Sequence, residues 1–328
     1  MEAETLDSLV ARSNRNEPAG ATDKIVIVGG GIMGQGIAQT AARKGLEVLL
    51  VEVDEEALRH ALEGISETLD REIEKWALTA SEKKGILSRI KGTVNYSDIT
   101  DQVFLIEAVP ERLDLKQALF HELEQHCVPE AILITNTSTL SITELASGTT
   151  RPDKVIGMHF LSPVPKVKVV ELVRGVHTST QTFQRSLQLA SRLERSAIEV
   201  FESPGYVTTR VIVPMINEAI HVLMEGVASA DDIDTALRLG YELNIGPLAM
   251  ADRMGLDTLL TWLDTLFRDL GDQKYRPCPL LRMMVRAGLL GAKTGQGFFR
   301  YDEEDRIEPG SGLTTAALDR FLSVRKER

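Results

Sequence analysis

Three glycines, an acid and a histidine with a downstream glutamate are the residues of this chain whose types and spacing suit chemistry. Gly29, Gly31 and Gly34 form Gly-x-Gly-x-x-Gly within Val28-Gly-Gly-Gly-Ile-Met-Gly34. In that arrangement the first glycine permits a tight turn and the second lets the backbone approach a pyrophosphate. The third allows close helix–strand packing. A following helix offers free N–H groups and its dipole to an anionic diphosphate. Glu52 ends the next apolar run, near the spacing of about 20 residues at which an acid meets a ribose. A carboxylate there accepts from a 2′-hydroxyl and repels a 2′-phosphate. Val53-Asp-Glu-Glu56 supplies no arginine to hold such a phosphate, so NAD is expected over NADP. Asp54, the competing acid, reads as a helix start, where negative charge suits the dipole. Gly29, Gly31, Ile32, Met33, Gly34 and Glu52 are therefore assigned to the dinucleotide.

The chain has six histidines. His60, His121, His126, His177 and His221 sit in polar or helical surroundings and are expected at the surface. His159 instead follows an apolar run at 155–158, and strand ends in open α/β sheets are where ligands bind. Pro163 and Pro165 turn the chain, and an extended run at 168–170 leads into Glu171. A return strand would set the Glu171 carboxylate beside His159, fixing the imidazole tautomer and raising its basicity. Next to NAD, such a pair suits removal of an alcohol proton as hydride leaves carbon. The rival reading is a histidine with a purely structural partner.

The elements that must position these residues are legible in outline. Lys24-Ile-Val-Ile-Val28 reads as a buried strand, 36–44 as a helix stopped at Gly45, and 47–53 as a second strand. That is the βαβ unit of a parallel sheet. The charge-rich stretch 55–91 has helical spacing with a break near 79–81, as an inserted helical hairpin would. Further strands are expected at 102–107, 131–135 and 154–158, with helices at 115–125 and from Ser141. Past Ser203-Pro-Gly205 strand signals cease, and 211–225, 231–239, 249–270 and 280–287 read as helices. The expected fold is α/β: a Rossmann-type dinucleotide-binding domain (23–203) with an inserted helical hairpin, then an all-α C-terminal domain (204–308). Flexible tails are expected at 1–22 and 309–328.

Composition excludes several classes. Hydrophobic residues make up 43% and charged residues 26% of the chain, ordinary for a globular protein. The net charge of −11 and the lack of a basic run disfavour nucleic acid. Residues 25–42 are uncharged, but their five clustered glycines suit a turn better than a membrane span. The polar first 22 residues lack the apolar core of a signal peptide. Two cysteines fit a reducing cytoplasm and no metal module.

A resemblance extends this reading. The chain contains Ile134-Thr-Asn-Thr-Ser-Thr-Leu-Ser-Ile-Thr-Glu144, then Gly157-Met-His-Phe-Leu-Ser-Pro-Val-Pro165 and Val169-Val-Glu-Leu-Val173. Ser203-Pro-Gly-Tyr-Val207, Ile245-Gly-Pro-Leu248, Met254-Gly-Leu-Asp257 and Lys293-Thr-Gly-Gln-Gly-Phe298 follow. From about Lys24 to Tyr301 the chain resembles the L-3-hydroxyacyl-CoA dehydrogenase family. The resemblance implies NAD-dependent interconversion of (S)-3-hydroxyacyl-CoA and 3-oxoacyl-CoA, with His159 as acid/base and Glu171 as its orienting partner. It puts Ser138 against substrate and nicotinamide, and Glu111, Lys116, Ser162 and Lys293 on cofactor-contacting positions. Thr68 and Lys75 fall on positions that touch the CoA tail. It also implies a homodimer through the C-terminal helices. Two positions depart from the family pattern: Ser162 and Thr209 stand where asparagines are usual, giving one hydroxyl for an amide. Drift with function kept, a different acyl substrate, or reduced activity would each account for them. Competing functions are a dehydrogenase of a non-CoA 3-hydroxy acid or carrier-bound acyl group, and a redox-silent NAD-binding relative.

Overall fold

The computed structural model describes residues 23–314; the tails expected at 1–22 and beyond 314 lie outside the described residues. Among the described residues, eight strands form one sheet. They are β1 (Lys24–Val28), β2 (Glu47–Val51), β3 (Ile90–Thr93), β4 (Phe104–Glu107), β5 (Ile132–Thr135), β6 (Val155–Phe160), β7 (Val169–Arg174) and β8 (Ser196–Phe201). Their order is β3-β2-β1-β4-β5-β6-β7-β8. Neighbours run parallel except β6 and β7, which are antiparallel. The helices of this part are α1 (Ile32–Arg43), α2 (Glu55–Glu74), α3 (Ala80–Leu87), α4 (Leu113–His126), α5 (Ile142–Ser147) and α6 (Thr180–Arg192).

Central strands read as unbroken apolar runs because helices cover both faces. Ile25 and Ile27 face a core built with Ile37 and Ala41 of α1 and Leu58, Ile65 and Leu69 of α2. Val26 and Val28 point the other way, toward Leu119, Phe120 and Leu123 of α4. Each such fully buried aliphatic contributes roughly 1.5–3 kcal/mol.

Several elements differ from expectation. α1 begins at Ile32, not Gly36, because its glycines serve packing rather than breaking the helix. A Cβ on Gly34 would lie 1.8 Å from the Gly29 carbonyl oxygen, and one on Gly36 would lie 2.9 Å from Val164 Cβ. β3 begins inside the stretch read as helical and pairs Val48 with Ile90 through Val51 with Thr93. His159 lies within β6, not beyond it.

A second compact unit begins at Val207. It contains α7 (Thr208–Met224), α8 (Ala230–Gly240), α9 (Pro247–Met254), α10 (Leu256–Leu270) and α11 (Pro279–Arg286). Its core includes Val213, Ile220, Leu248, Leu259, Leu263 and Leu281. The single helix expected at 249–270 is two, parted by Gly255 at φ +90°. Part of the stretch expected as a tail from 309 packs against the helical unit. Leu313 N donates to the Phe298 carbonyl at 2.9 Å, and Ala230 N donates to the Leu313 carbonyl at 3.0 Å. Leu313 packs against the helical core, an apolar anchor within an otherwise polar stretch.

Candidate active site

The glycine turn leaves β1 toward the α1 N-terminus. Gly29 has φ +99° and its N–H donates to the Val51 carbonyl at 2.9 Å. A Cβ there would lie 2.8 Å from the Ala108 oxygen, so the turn sits against the chain leaving β4. Gly31 is the N-cap of α1; no side chain caps the helix and its first turn carries no acid. No heavy atom lies within 4 Å of a Cβ built on Gly31, and Ile32 beside it is 80% exposed. Met33 is half-buried. Open space, uncapped N–H groups and the helix dipole together fit a diphosphate. Glu52 Oε1 accepts from Gly30 N, and its Oε2 accepts from Val53 N at 2.9 Å. This carboxylate is fixed at the end of β2, at the edge of the glycine turn. Asp54 caps α2 by accepting from Ala57 N at 2.8 Å.

The antiparallel register sets His159 directly opposite Glu171. His159 Nδ1 and Glu171 Oε2 are 2.6 Å apart, and the two residues are 3% and 0% exposed. With Nδ1–H donated to the carboxylate, Nε2 is the ring nitrogen left to exchange a proton. The Tyr206 ring meets the imidazole edge-on, with centroids 5.6 Å apart, and its hydroxyl donates to the Leu140 carbonyl at 2.9 Å. Burial, then the Glu111 and Glu202 charges, push the Tyr206 phenol well above its ordinary range. Asn136 Oδ1 accepts from Phe160 N at 2.9 Å, pinning the strand end that holds His159.

Glu111 grips the loop after β5. Its Oε1 accepts from Ser138 N at 2.9 Å, Thr139 N at 3.1 Å and the Thr137 hydroxyl at 2.5 Å. Lys116, 1% exposed, reaches Glu107 Oε1 at 2.7 Å, Glu111 Oε2 at 3.3 Å and the Val109 carbonyl at 3.3 Å. Burial raises the Glu107 carboxyl above its ordinary value despite Lys116. Burial also opposes the Glu111 charge, but Lys116 and the bonds from the 137–139 loop outweigh it and hold that carboxyl low. Lys116, expected on the cofactor side, has its ammonium among these protein groups.

The remaining expected residues are scattered. Ser162 is exposed on the turn after β6. The Thr68 hydroxyl donates to the Gly64 carbonyl at 2.9 Å within α2 and accepts from Arg71 at 3.0 Å. Lys75 is exposed at the C-cap of that helix. In the second unit, Thr209 is 3% exposed on α7. Lys293 pairs with Asp257 at 2.6 and 2.7 Å. Sequence reasoning missed Tyr206, Asn136, Glu107 and Asp257. Glu107 had a signal, an acid closing the otherwise apolar run Val103-Phe-Leu-Ile106.

Residues 24–203 match the family model described as 3-hydroxyacyl-CoA dehydrogenase, NAD binding domain. Residues 205–301 match its C-terminal domain. The chain belongs to the 3-hydroxyacyl-CoA dehydrogenase family. It is 45% identical over 281 residues to a probable 3-hydroxybutyryl-CoA dehydrogenase of Bacillus subtilis, covering 86% of this chain and 98% of that one. It is 43% identical to the 3-hydroxybutyryl-CoA dehydrogenase of Clostridioides difficile, covering 85% and 100%. The crystal structure of (S)-3-hydroxybutyryl-CoA dehydrogenase from Ralstonia eutropha superposes with a TM-score of 0.79 at 43% identity, covering 86% and 99%. As a 3-hydroxyacyl-CoA dehydrogenase the chain is an NAD-binding oxidoreductase acting on CH–OH groups. Its α/β sheet followed by a helical unit is the expected architecture. Among the described residues no helix is long and apolar enough to cross a membrane. No group of three or more His, Cys, Asp or Glu among them could hold a metal ion.

Proposed function

We propose that this chain interconverts (S)-3-hydroxyacyl-CoA and 3-oxoacyl-CoA with NAD, and that 3-hydroxybutyryl-CoA, named for its relatives, is among its substrates. The observation that supports this most is the buried His159–Glu171 pair on adjacent strands. In oxidation, His159 Nε2 takes the hydroxyl proton of the substrate. Glu171 keeps Nδ1 protonated and stabilises the imidazolium that forms. Bound NAD supplies the acceptor for the hydride that leaves carbon 3. Ser138 contacts substrate and nicotinamide, and Thr209 contacts substrate. Gly29, Gly31, Ile32, Met33 and Gly34 hold the diphosphate and Glu52 the adenosine ribose. Glu111, Lys116, Ser162 and Lys293 line the cofactor side, and Thr68 and Lys75 meet the CoA tail.

The test is NADH oxidation with acetoacetyl-CoA. Saturable turnover is expected. NADH binding without turnover on acetoacetyl-CoA or a longer 3-oxoacyl-CoA would overturn the reading. We further propose a homodimer through the helical unit. Its exposed Val227, Leu239 and Tyr241 support that, and light scattering at twice the chain mass is expected. The unpaired thiols of Cys127 and Cys278 support a cytoplasmic setting.

A further inference from the structure

The turn that follows β8 is tied to the loop between β5 and α5 at several points. Glu202, next after β8, accepts from the Ser141 hydroxyl, from Thr143 N at 2.9 Å and from the Thr143 hydroxyl at 2.5 Å. Further along, the Tyr206 hydroxyl donates to the Leu140 carbonyl at 2.9 Å. Tyr206 N donates to the Ser203 carbonyl at 2.9 Å and closes the turn. Tyr206 is 4% exposed and belongs to the buried cluster that includes Ile142, Val173 and Val200. Its ring meets the His159 imidazole with 5.6 Å between centroids and 61° between planes.

Tyr206 holds this place at φ +51°. That is the left-handed region, where a bulky residue is a genuine outlier. Such a conformation persists only where the surroundings over-determine it, and it points to a functional constraint. The phenol also sits among carboxylates. Burial, then the charges of Glu111, Glu202 and Glu171, all disfavour a phenolate. The hydroxyl therefore stays an uncharged donor to a backbone carbonyl just past Ser138. His159 is fastened to Glu171 through Nδ1. One hydrogen bond leaves a ring free to tilt about it, and packing against a neighbour is what locks the rotamer.

We propose that Tyr206 is a positioning residue with two separable duties: its ring confines the His159 imidazole so that Nε2 keeps one direction, and its hydroxyl fixes the backbone just past Ser138. The acid–base role of His159 rests on the reading above. The contacts of Tyr206 do not.

The experiment compares wild type with Tyr206→Phe, which keeps the ring and loses the hydroxyl, and Tyr206→Leu, which loses both. It reads kinetics on acetoacetyl-CoA, NADH affinity by fluorescence and hydrogen exchange of the 138–143 peptide. It also follows the NMR resonance of the His159 Nδ1 proton, assigned by its absence from His159→Gln. Tyr206→Leu is expected to lose about 10- to 100-fold in kcat, as a misplacement of roughly 1 Å does, with that resonance shifted or broadened away. NADH affinity should stay within about 2-fold, well under the tenfold that 1.4 kcal/mol would cause. Tyr206→Phe should keep the resonance and hold kcat within about 3-fold. Its 138–143 amides should exchange about 2- to 13-fold faster, the worth of one neutral hydrogen bond. Near-normal kcat or an unmoved resonance in Tyr206→Leu would overturn the duty of the ring. Unchanged exchange in Tyr206→Phe would overturn that of the hydroxyl, and a Tyr206→Phe as slow as Tyr206→Leu would overturn their separation. If Tyr206→Leu does not fold, Tyr206→Phe decides alone: faster exchange with resonance and turnover kept supports the proposal, and a lost resonance overturns it. A wild type inactive on acetoacetyl-CoA sinks the proposed reaction, while exchange and the resonance still judge Tyr206.

Discussion

His159 has one ring nitrogen committed to Glu171 at 2.6 Å, which leaves the other for proton exchange. His159→Gln is expected to lower turnover by about 10²–10⁴-fold, the usual worth of a general acid–base group, while NADH fluorescence titration shows binding retained. Glu171→Gln keeps an acceptor but no charge and should cost the same or less. Near-normal turnover in His159→Gln would end the acid–base assignment. Glu52 carries a second expectation, since its carboxylate is fixed at the edge of the glycine turn by Gly30 N and Val53 N. Catalytic efficiency with NADH should exceed that with NADPH, and Glu52→Ala should narrow the gap; equal efficiencies in wild type would remove Glu52 from the ribose. His159 and Glu171 were legible because a proline-bearing turn between two apolar runs brings them together locally. Tyr206 and Asn136 were not. Each acts through a contact across the fold, and a tyrosine or asparagine has no periodicity that announces such a contact.

At the scale of elements, the glycine turn makes opposite demands at two of its positions. A Cβ on Gly34 would meet the Gly29 carbonyl at 1.8 Å, and that neighbour is backbone that cannot swing aside. A Cβ on Gly31 meets no protein atom within 4 Å. Gly34→Ala is therefore expected to destabilise the fold by about 1–3 kcal/mol or more, as overpacking does, and to lose NADH binding as a consequence. Gly31→Ala should melt like wild type and still bind NADH poorly, because its methyl occupies the diphosphate space. Thermal melts and NADH titration of both variants check this; equal melting temperatures for the two would refute the packing argument. The same scale explains which strands could be read in advance. β1, β2, β4, β5 and β6 are internal strands, and each carries a run of apolar residues. β3 and β8 are the two edges of the sheet, and their burial patterns are broken by exposed positions. An edge strand lacks the continuous apolar run, so Ile90-Lys91, the start of β3, falls within the charged stretch read as helical, and 196–201 is not read as a strand.

At the scale of the whole molecule, the helical unit has its own acid–base behaviour, independent of the dyad in the sheet. Asp252 of α9 is 1% exposed. It accepts from Phe298 N and Phe299 N at 2.9 Å each and from the Tyr301 hydroxyl at 3.1 Å. A Cβ on Gly297 would lie 1.9 Å from its Oδ1, so the Lys293-Thr-Gly-Gln-Gly-Phe298 turn closes directly over the carboxylate. Burial pushes this acid up to about 7 against those hydrogen bonds, and the nearby Asp234 charge adds to the rise. An unfolded aspartate titrates near 3.9. Between that value and about 7 the folded state keeps a proton that the unfolded chain has released, so the Asp252 contribution to stability falls as pH rises through the window and is level above it. Asp252→Asn cannot titrate, and comparing it with wild type cancels the background from the chain's other charged groups. Urea unfolding of this unit, followed by the fluorescence of Trp262 on α10, should show wild type losing stability relative to Asp252→Asn from pH 5 to 7. The difference should then stay constant to pH 9. A difference that does not change between pH 5 and 7 would mean that Asp252 ionises near its ordinary value and that the turn over it admits water.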